Sequence, residues 1–186
     1  MNSHTTLAKF IHWAFTLLYA YGIFKQVDDL SELEEASLLN FEILFATIFL
    51  IIVLIRYFYM KDTPALLGAH EDVPKGHLFI AKTVHRLVYF SLIMLPTTGL
   101  LIAGLFNLGM RGVDVAIALH EFSAFLSYIV IALHVGASLY SRFKGEGMWN
   151  AMVPIWKETG KNDSNLIIKL EEIEKKLYKK VEDKFI

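Results

Sequence analysis

Four blocks of about twenty mostly apolar residues, over 10–24, 38–60, 83–105 and 115–140, alternate with polar segments. At 1.5 Å per residue each block can cross a hydrocarbon core of about 30 Å, so the pattern predicts four transmembrane helices. The first block is followed by no small-residue cleavage site and has three equals later in the chain, so all four are expected to remain in the mature protein. Beyond the last block the rhythm changes. Ile167, Leu170, Ile173, Leu177 and Val181 recur at three- and four-residue steps among Lys and Glu, which predicts one amphipathic helix lying on the membrane or docked on its own domain, or else binding a partner. The expected fold class is all-α, an integral membrane four-helix bundle with a C-terminal amphipathic cytoplasmic helix. The corresponding domains are a membrane domain over 1–145 and a tail over 146–186.

Composition supports a bilayer as solvent, since the 186 residues are 55% hydrophobic with a mean hydropathy of +0.45. The net charge of -1 excludes a basic nucleic-acid binder, but it hides a steep asymmetry. Between the first two blocks Lys25 faces Asp28, Asp29, Glu32, Glu34 and Glu35, and between the last two only Arg111 is basic, so 16 of the 18 Lys and Arg lie on the other side. By the positive-inside rule both termini are cytoplasmic. Within the spans, Arg56 is placed to snorkel, whereas Glu42 near the outer end of the second span has no such escape. Pro96 is expected to kink the third span, and Trp149 and Trp156 suit the membrane interface.

The chain has no cysteine, which excludes disulfides, iron–sulfur clusters, thiolate-ligated zinc and the CxxCH attachment of haem. No Gly-rich phosphate loop, GxSxG elbow or HExxH pair is present, so the chemistry must lie with the histidines. His120 and His134, 14 residues apart on the fourth span, project within about 40° of one another and about 21 Å apart along the axis. Two stacked sites are therefore expected, one outer and one inner. His12 and His85 each begin an outgoing span, at the depth of His134. Intramembrane imidazoles are costly unless paired or coordinated, and haem iron takes two neutral imidazoles, so a His–iron–His clamp fits His134 plus one partner. Lys82 and Arg86 flank His85 and could pair with haem propionates, while His85 itself could bind a propionate or a quinone carbonyl, or replace His12 as ligand. His4, His70 and His77 lie in polar stretches and are expected to be surface histidines.

The segments IHWAF, HRLVYFSLIMLPTTGLLIAG and LHEFSAFLSYIVIALHVGASLYSRF resemble the bacterial cytochrome b561 family and the related cytochrome b subunits of membrane hydrogenases and formate dehydrogenases, over residues 4–145. The resemblance implies b haems stacked across the membrane, the inner one clamped by His12 and His134, with quinol oxidised or quinone reduced beside one of them. It implies an outer haem on His120 and a second-span histidine, but Glu42 stands where that histidine would be. Three outcomes stay open: no outer haem, a five-coordinate haem on His120 alone, or ligation by Glu42. With the outer haem absent, His120 and Glu42 would face one another as an ion pair or proton relay.

The functional expectation is an inner-membrane cytochrome with haem b, one copy or two, that passes electrons between the quinone pool and a redox protein partner. It would act as a free-standing cytochrome or as the membrane subunit of a respiratory complex, with a homodimer open as well. The alternative is a non-redox membrane scaffold or transporter subunit whose histidines merely pack.

Overall fold

The computed structural model describes residues 4–25, 36–66, 73–162 and 164–186, and the described residues are helical with no strand. The helices are α1 (Thr6–Phe24), α2 (Ala36–Met60), α3 (Lys75–Asn107), α4 (Val113–Lys144), the short α5 (Met148–Met152) and α6 (Asn165–Phe185). Four stretches, Thr6–Phe24, Leu38–Met60, Lys75–Asn107 and Val113–Lys144, are long and apolar enough to cross a membrane. The all-α class with four spans and a C-terminal helix is what the hydrophobic pattern predicts. The acidic run from Asp28 to Glu35 and His70 lie outside the described residues.

The main difference in boundaries is at α3, which begins at Lys75 rather than near Thr83. Pro74 fixes its own φ without costing a helical N–H, its carbonyl accepts from Leu78 N at 3.1 Å, and after Gly76 in the first turn neither Gly nor Pro follows before Pro96. His77 therefore sits on a helix and not in a loop. Helix α3 also continues through Pro96. Proline removes the bond that would end on the Leu92 carbonyl, and the next two residues, Thr97 and Thr98, donate their hydroxyls to the carbonyls of Ile93 and Met94 at 2.7 and 2.8 Å.

The chain forms two compact units. One, the α1–α2 unit, comprises Thr6–Lys61 and Val88–Ile129. Its buried apolar residues include Phe15, Phe49, Val53, Leu92, Ala103 and Ala116. Ser91, Thr98, Ser123 and Ser127 are buried with them. In lipid there is no hydrophobic gain from helix association, so close packing of small and hydroxylated residues carries it. Each of these hydroxyls donates to a carbonyl of its own helix, so none is buried unsatisfied. Arg56 corrects the snorkelling expectation: it is 7% exposed, donates from Nη1 to the Ala8 carbonyl at 3.0 Å and lies 5.3 Å from the Phe15 ring centre. Burial is tolerated because the backbone of α1 offers an acceptor and an aromatic face beside it.

The other, the tail unit, comprises Met1–Thr5, Asp62–Leu87 and Val130–Ile186. Its segment after α4 folds back on the helix. Arg142 donates from Nε to the Trp156 carbonyl at 2.8 Å with its guanidinium 3.6 Å from the Trp156 ring, and Trp149 meets Trp156 edge-on at 5.8 Å. Ser164 caps α6 by accepting from Ile167 N. Helix α6 then docks on the start of α3, where Gly76 N donates to Glu182 at 2.7 Å, His77 stacks on Tyr178 at 4.7 Å and Phe79 stacks on Phe185 at 5.8 Å. A Cβ at Gly76 would come within 2.9 Å of Tyr178 Cα and closer still to its carbonyl oxygen, so this approach requires glycine.

Candidate functional site

In the α1–α2 unit a cavity of about 630 Å³ opens between the end of α1, the start of α2 and parts of α3 and α4. That volume lies within the range of about 300–1,000 Å³ typical of small-molecule and cofactor pockets. Its wall is mostly apolar and aromatic, with Phe45, Phe49, Phe125, Leu95 and Pro96, and the small residues Gly22, Gly99 and Ala124 give it width. The polar groups in it are few and specific: Tyr19, Lys25, Glu42, His120, Glu121 and Tyr128.

His120, projected onto this site by α4, is fixed from one side. Its Nδ1 lies 3.0 Å from Thr98 Oγ1. The single proton of that hydroxyl is directed at the Met94 and Leu95 carbonyls, at 2.8 and 3.0 Å. With its proton on either carbonyl, the hydroxyl is an acceptor for a ring N–H on Nδ1, the tautomer that keeps the lone pair on Nε2. Gly99 lies beside the ring, where a Cβ would make ordinary van der Waals contact with His120 Cε1 at 3.5 Å. One ring nitrogen of His120 is thus oriented by a hydroxyl of the neighbouring helix, as is common for metal-ligating histidines.

Glu42 takes a different partner from the one anticipated. Its carboxylate is ion-paired and hydrogen-bonded with Lys25 at the end of α1, and the Lys25 ammonium also lies 4.8 Å from the Phe45 ring centre. His120 bonds Thr98, so each side of the expected His120–Glu42 pair is satisfied elsewhere. Lys25 escaped notice in the sequence because it reads as the lone cation of an acidic loop; its signal was that the end of one span adjoins the start of the next, bringing it to Glu42. Tyr19 and Ser127, whose hydroxyls are 2.7 Å apart across α1 and α4, were missed for the same reason.

In the tail unit, His85 of α3 and His134 of α4 are brought together, with ring centres 5.1 Å apart and planes tilted by 59°. The His134 carbonyl accepts from Ser138 at 2.9 Å. Lys82 and Arg86, on either side of His85 along α3, are both exposed. His12 belongs to the α1–α2 unit, where Phe15 and Trp13 meet its ring at 5.3 and 5.8 Å and Nδ1 is buried. A second polar cluster lies where α6 docks. His77, half-buried rather than a surface residue, lies with Glu146 and Glu174, and ligand atoms of the three fall within 4.8 Å of one another. The Lys144 ammonium already bridges the two carboxylates at 2.5 Å each, so the protein supplies its own cation there.

Comparison with known families matches residues 3–154 to prokaryotic cytochrome b561. The chain belongs to that family. As a cytochrome b561 it is a membrane b-type cytochrome of electron transfer, and its implied cofactor is haem b. Neither a curated protein nor a solved structure matches the chain. The donor set fits the cofactor: of the five histidines in the membrane-capable helices, His77 is taken up with Tyr178 of α6, and His12, His85, His120 and His134 offer imidazole nitrogens. Neutral nitrogen donors in apolar surroundings suit haem iron, whereas the carboxylate of Glu42, already neutralised by Lys25, is a poor axial donor.

Proposed function

We propose that this cytochrome b561 carries a haem b on His134 and His12, with His85 beside it, and passes electrons between the membrane quinone pool and a redox protein. It would do so as a free-standing cytochrome or as the membrane subunit of a larger respiratory enzyme of the inner membrane, with both termini cytoplasmic. The observation that carries the reading is the family match over all four spans together with His12, His85, His120 and His134 within them.

Bound haem supplies a reversible one-electron couple in a medium where charge is otherwise costly. The work of the chain is to hold and tune it. His134 and His12 are the proposed axial donors. Lys82 and Arg86, exposed at the start of α3, are the cations available to anionic propionates, and His85 supplies a hydrogen bond to a propionate or a quinone oxygen. Around the cavity of the α1–α2 unit, His120 and the Lys25–Glu42 pair form a second polar site with one imidazole in place of two, which favours a single fully ligated haem per chain.

The test is spectroscopic. Purified protein should show the reduced spectrum of a six-coordinate b haem, and either His134→Ala or His12→Ala should abolish it. His85→Ala should keep the haem with a shifted midpoint potential. Loss of haem in His85→Ala with retention in His12→Ala would exchange their roles, and a colourless wild-type protein would leave a scaffold with packing histidines as the better reading.

A further inference from the structure

Docking of α6 on the tail unit engages three of its five acidic residues, leaves Glu172 and Asp183 exposed, and leaves its lysines outward. Glu174 is held by Lys144, Tyr140 and Tyr178, Glu182 by the Gly76 amide, and Glu171 by Lys161 at 3.1 Å. Lys169, Lys175, Lys176, Lys179 and Lys180 are all exposed. The docking face also differs from the apolar stripe. Ile167 is buried, but Leu166, Leu170, Ile173 and Leu177 remain 67%, 38%, 62% and 50% exposed. At 100° per residue those four occupy an arc of about 60°, adjacent to the docked face. Lys169, Lys176 and Lys180 fall in the next arc beyond them.

The location of this stripe narrows what covers it. Helix α6 packs against Gly76, His77 and Phe79 at the start of one membrane-capable helix and against Tyr140 and Lys144 at the end of another. Those are ends of two helices long and apolar enough to span, where a membrane surface is expected. An exposed apolar arc with a row of lysines along its far edge, at that level, matches a helix lying in the interfacial plane. Lysine stems can cover apolar surface while their ammonium groups reach phosphate.

We propose that α6 is wedged between its own unit and the bilayer surface, with the Leu166–Leu170–Ile173–Leu177 arc at the acyl boundary and Lys169, Lys176 and Lys180 binding anionic lipid headgroups. Two faces of one helix thus have two different partners, and recognition of the lipid is by negative charge. The inference rests on the four spans and on α6, and is independent of which residues hold haem.

Because the chain has no cysteine, one introduced Cys gives one labelled site. The full chain, labelled with a nitroxide at Ile173→Cys, is placed one copy per nanodisc in phosphatidylcholine alone or with a third phosphatidylglycerol. Glu172→Cys, on the exposed side away from the arc, serves as the aqueous reference. In the anionic nanodiscs the label at 173 should relax preferentially with oxygen and the label at 172 with a water-soluble relaxant. Neutralising Lys169, Lys176 and Lys180 with glutamine should reduce the immersed population, by about fivefold per lysine. Raising salt should act in the same direction on the unaltered tail, which covers the case of a variant that does not fold. Equal immersion in neutral and anionic nanodiscs, a label at 173 as aqueous as that at 172, or immersion that appears only with two chains per nanodisc would each overturn the proposal.

Discussion

Thr98 Oγ1 of α3 lies 3.0 Å from His120 Nδ1 of α4, and since the same hydroxyl reaches the Met94 and Leu95 carbonyls it can serve the ring as an acceptor. Thr98→Val keeps the shape and removes that acceptor. Nitrogen-15 spectra of the histidine rings should show the Nδ1–H form at His120 in the parent and a shift toward Nε2–H in the variant, with a loss of about 1 kcal/mol in stability. An unchanged tautomer would mean that another group fixes the ring.

Glu42 is the point at which this chain departs from the paired-imidazole pattern of its family. Glu42→His places a second imidazole in a cavity that already presents one, and haem content should rise by about one equivalent per chain. Glu42→Gln should not raise it. A parent protein that already carries two haems would show instead that His120 suffices alone or that Glu42 ligates.

The four spans were legible because lipid imposes both a length and an apolar composition, and these leave a plain mark in the chain. The His120–His134 spacing was legible because helical geometry fixes angle from sequence distance. The Thr98–His120, Lys25–Glu42 and Tyr19–Ser127 pairs were not, since each depends on how separate helices adjoin, and no local pattern encodes that. His77 and Arg56 were misread for a related reason. Polar residues near span ends look exposed until the element that covers them is known, here α6 for His77 and the α1 backbone for Arg56.

Gly76→Ala should release α6. The added methyl would overlap the Tyr178 backbone, where little can shift, and overpacking of this kind costs about 1–3 kcal/mol. Trypsin cleavage within the lysine-rich tail should accelerate while the spans stay inserted. Tail cleavage at the parent rate would show that α6 is held without this contact.

Burial, and after it the bond to Glu174 and the charge of that carboxylate, push the Tyr178 phenol above its ordinary value. A proton held more tightly in the docked state stabilises docking fully below about pH 10, and the contribution falls as pH rises beyond that. Spin labels on α3 and α6 should separate in alkali, and Tyr178→Phe should weaken this response. Identical alkaline behaviour in the variant would assign it to other groups, such as the ammonium of Lys144.

The carboxylate of Glu174 serves three donors from two helices: Tyr140 and Lys144 of α4 and Tyr178 of α6. Sharing makes the energetics of this junction non-additive. Loss of either tyrosine leaves a carboxylate that is still neutralised by Lys144 and still bonded, so those single replacements are buffered, and the two together cost more than their sum. Loss of Glu174 itself strands all three at once, leaving Lys144 with Glu146 alone. The junction thus tolerates drift in its tyrosine donors and is brittle at its one shared acceptor.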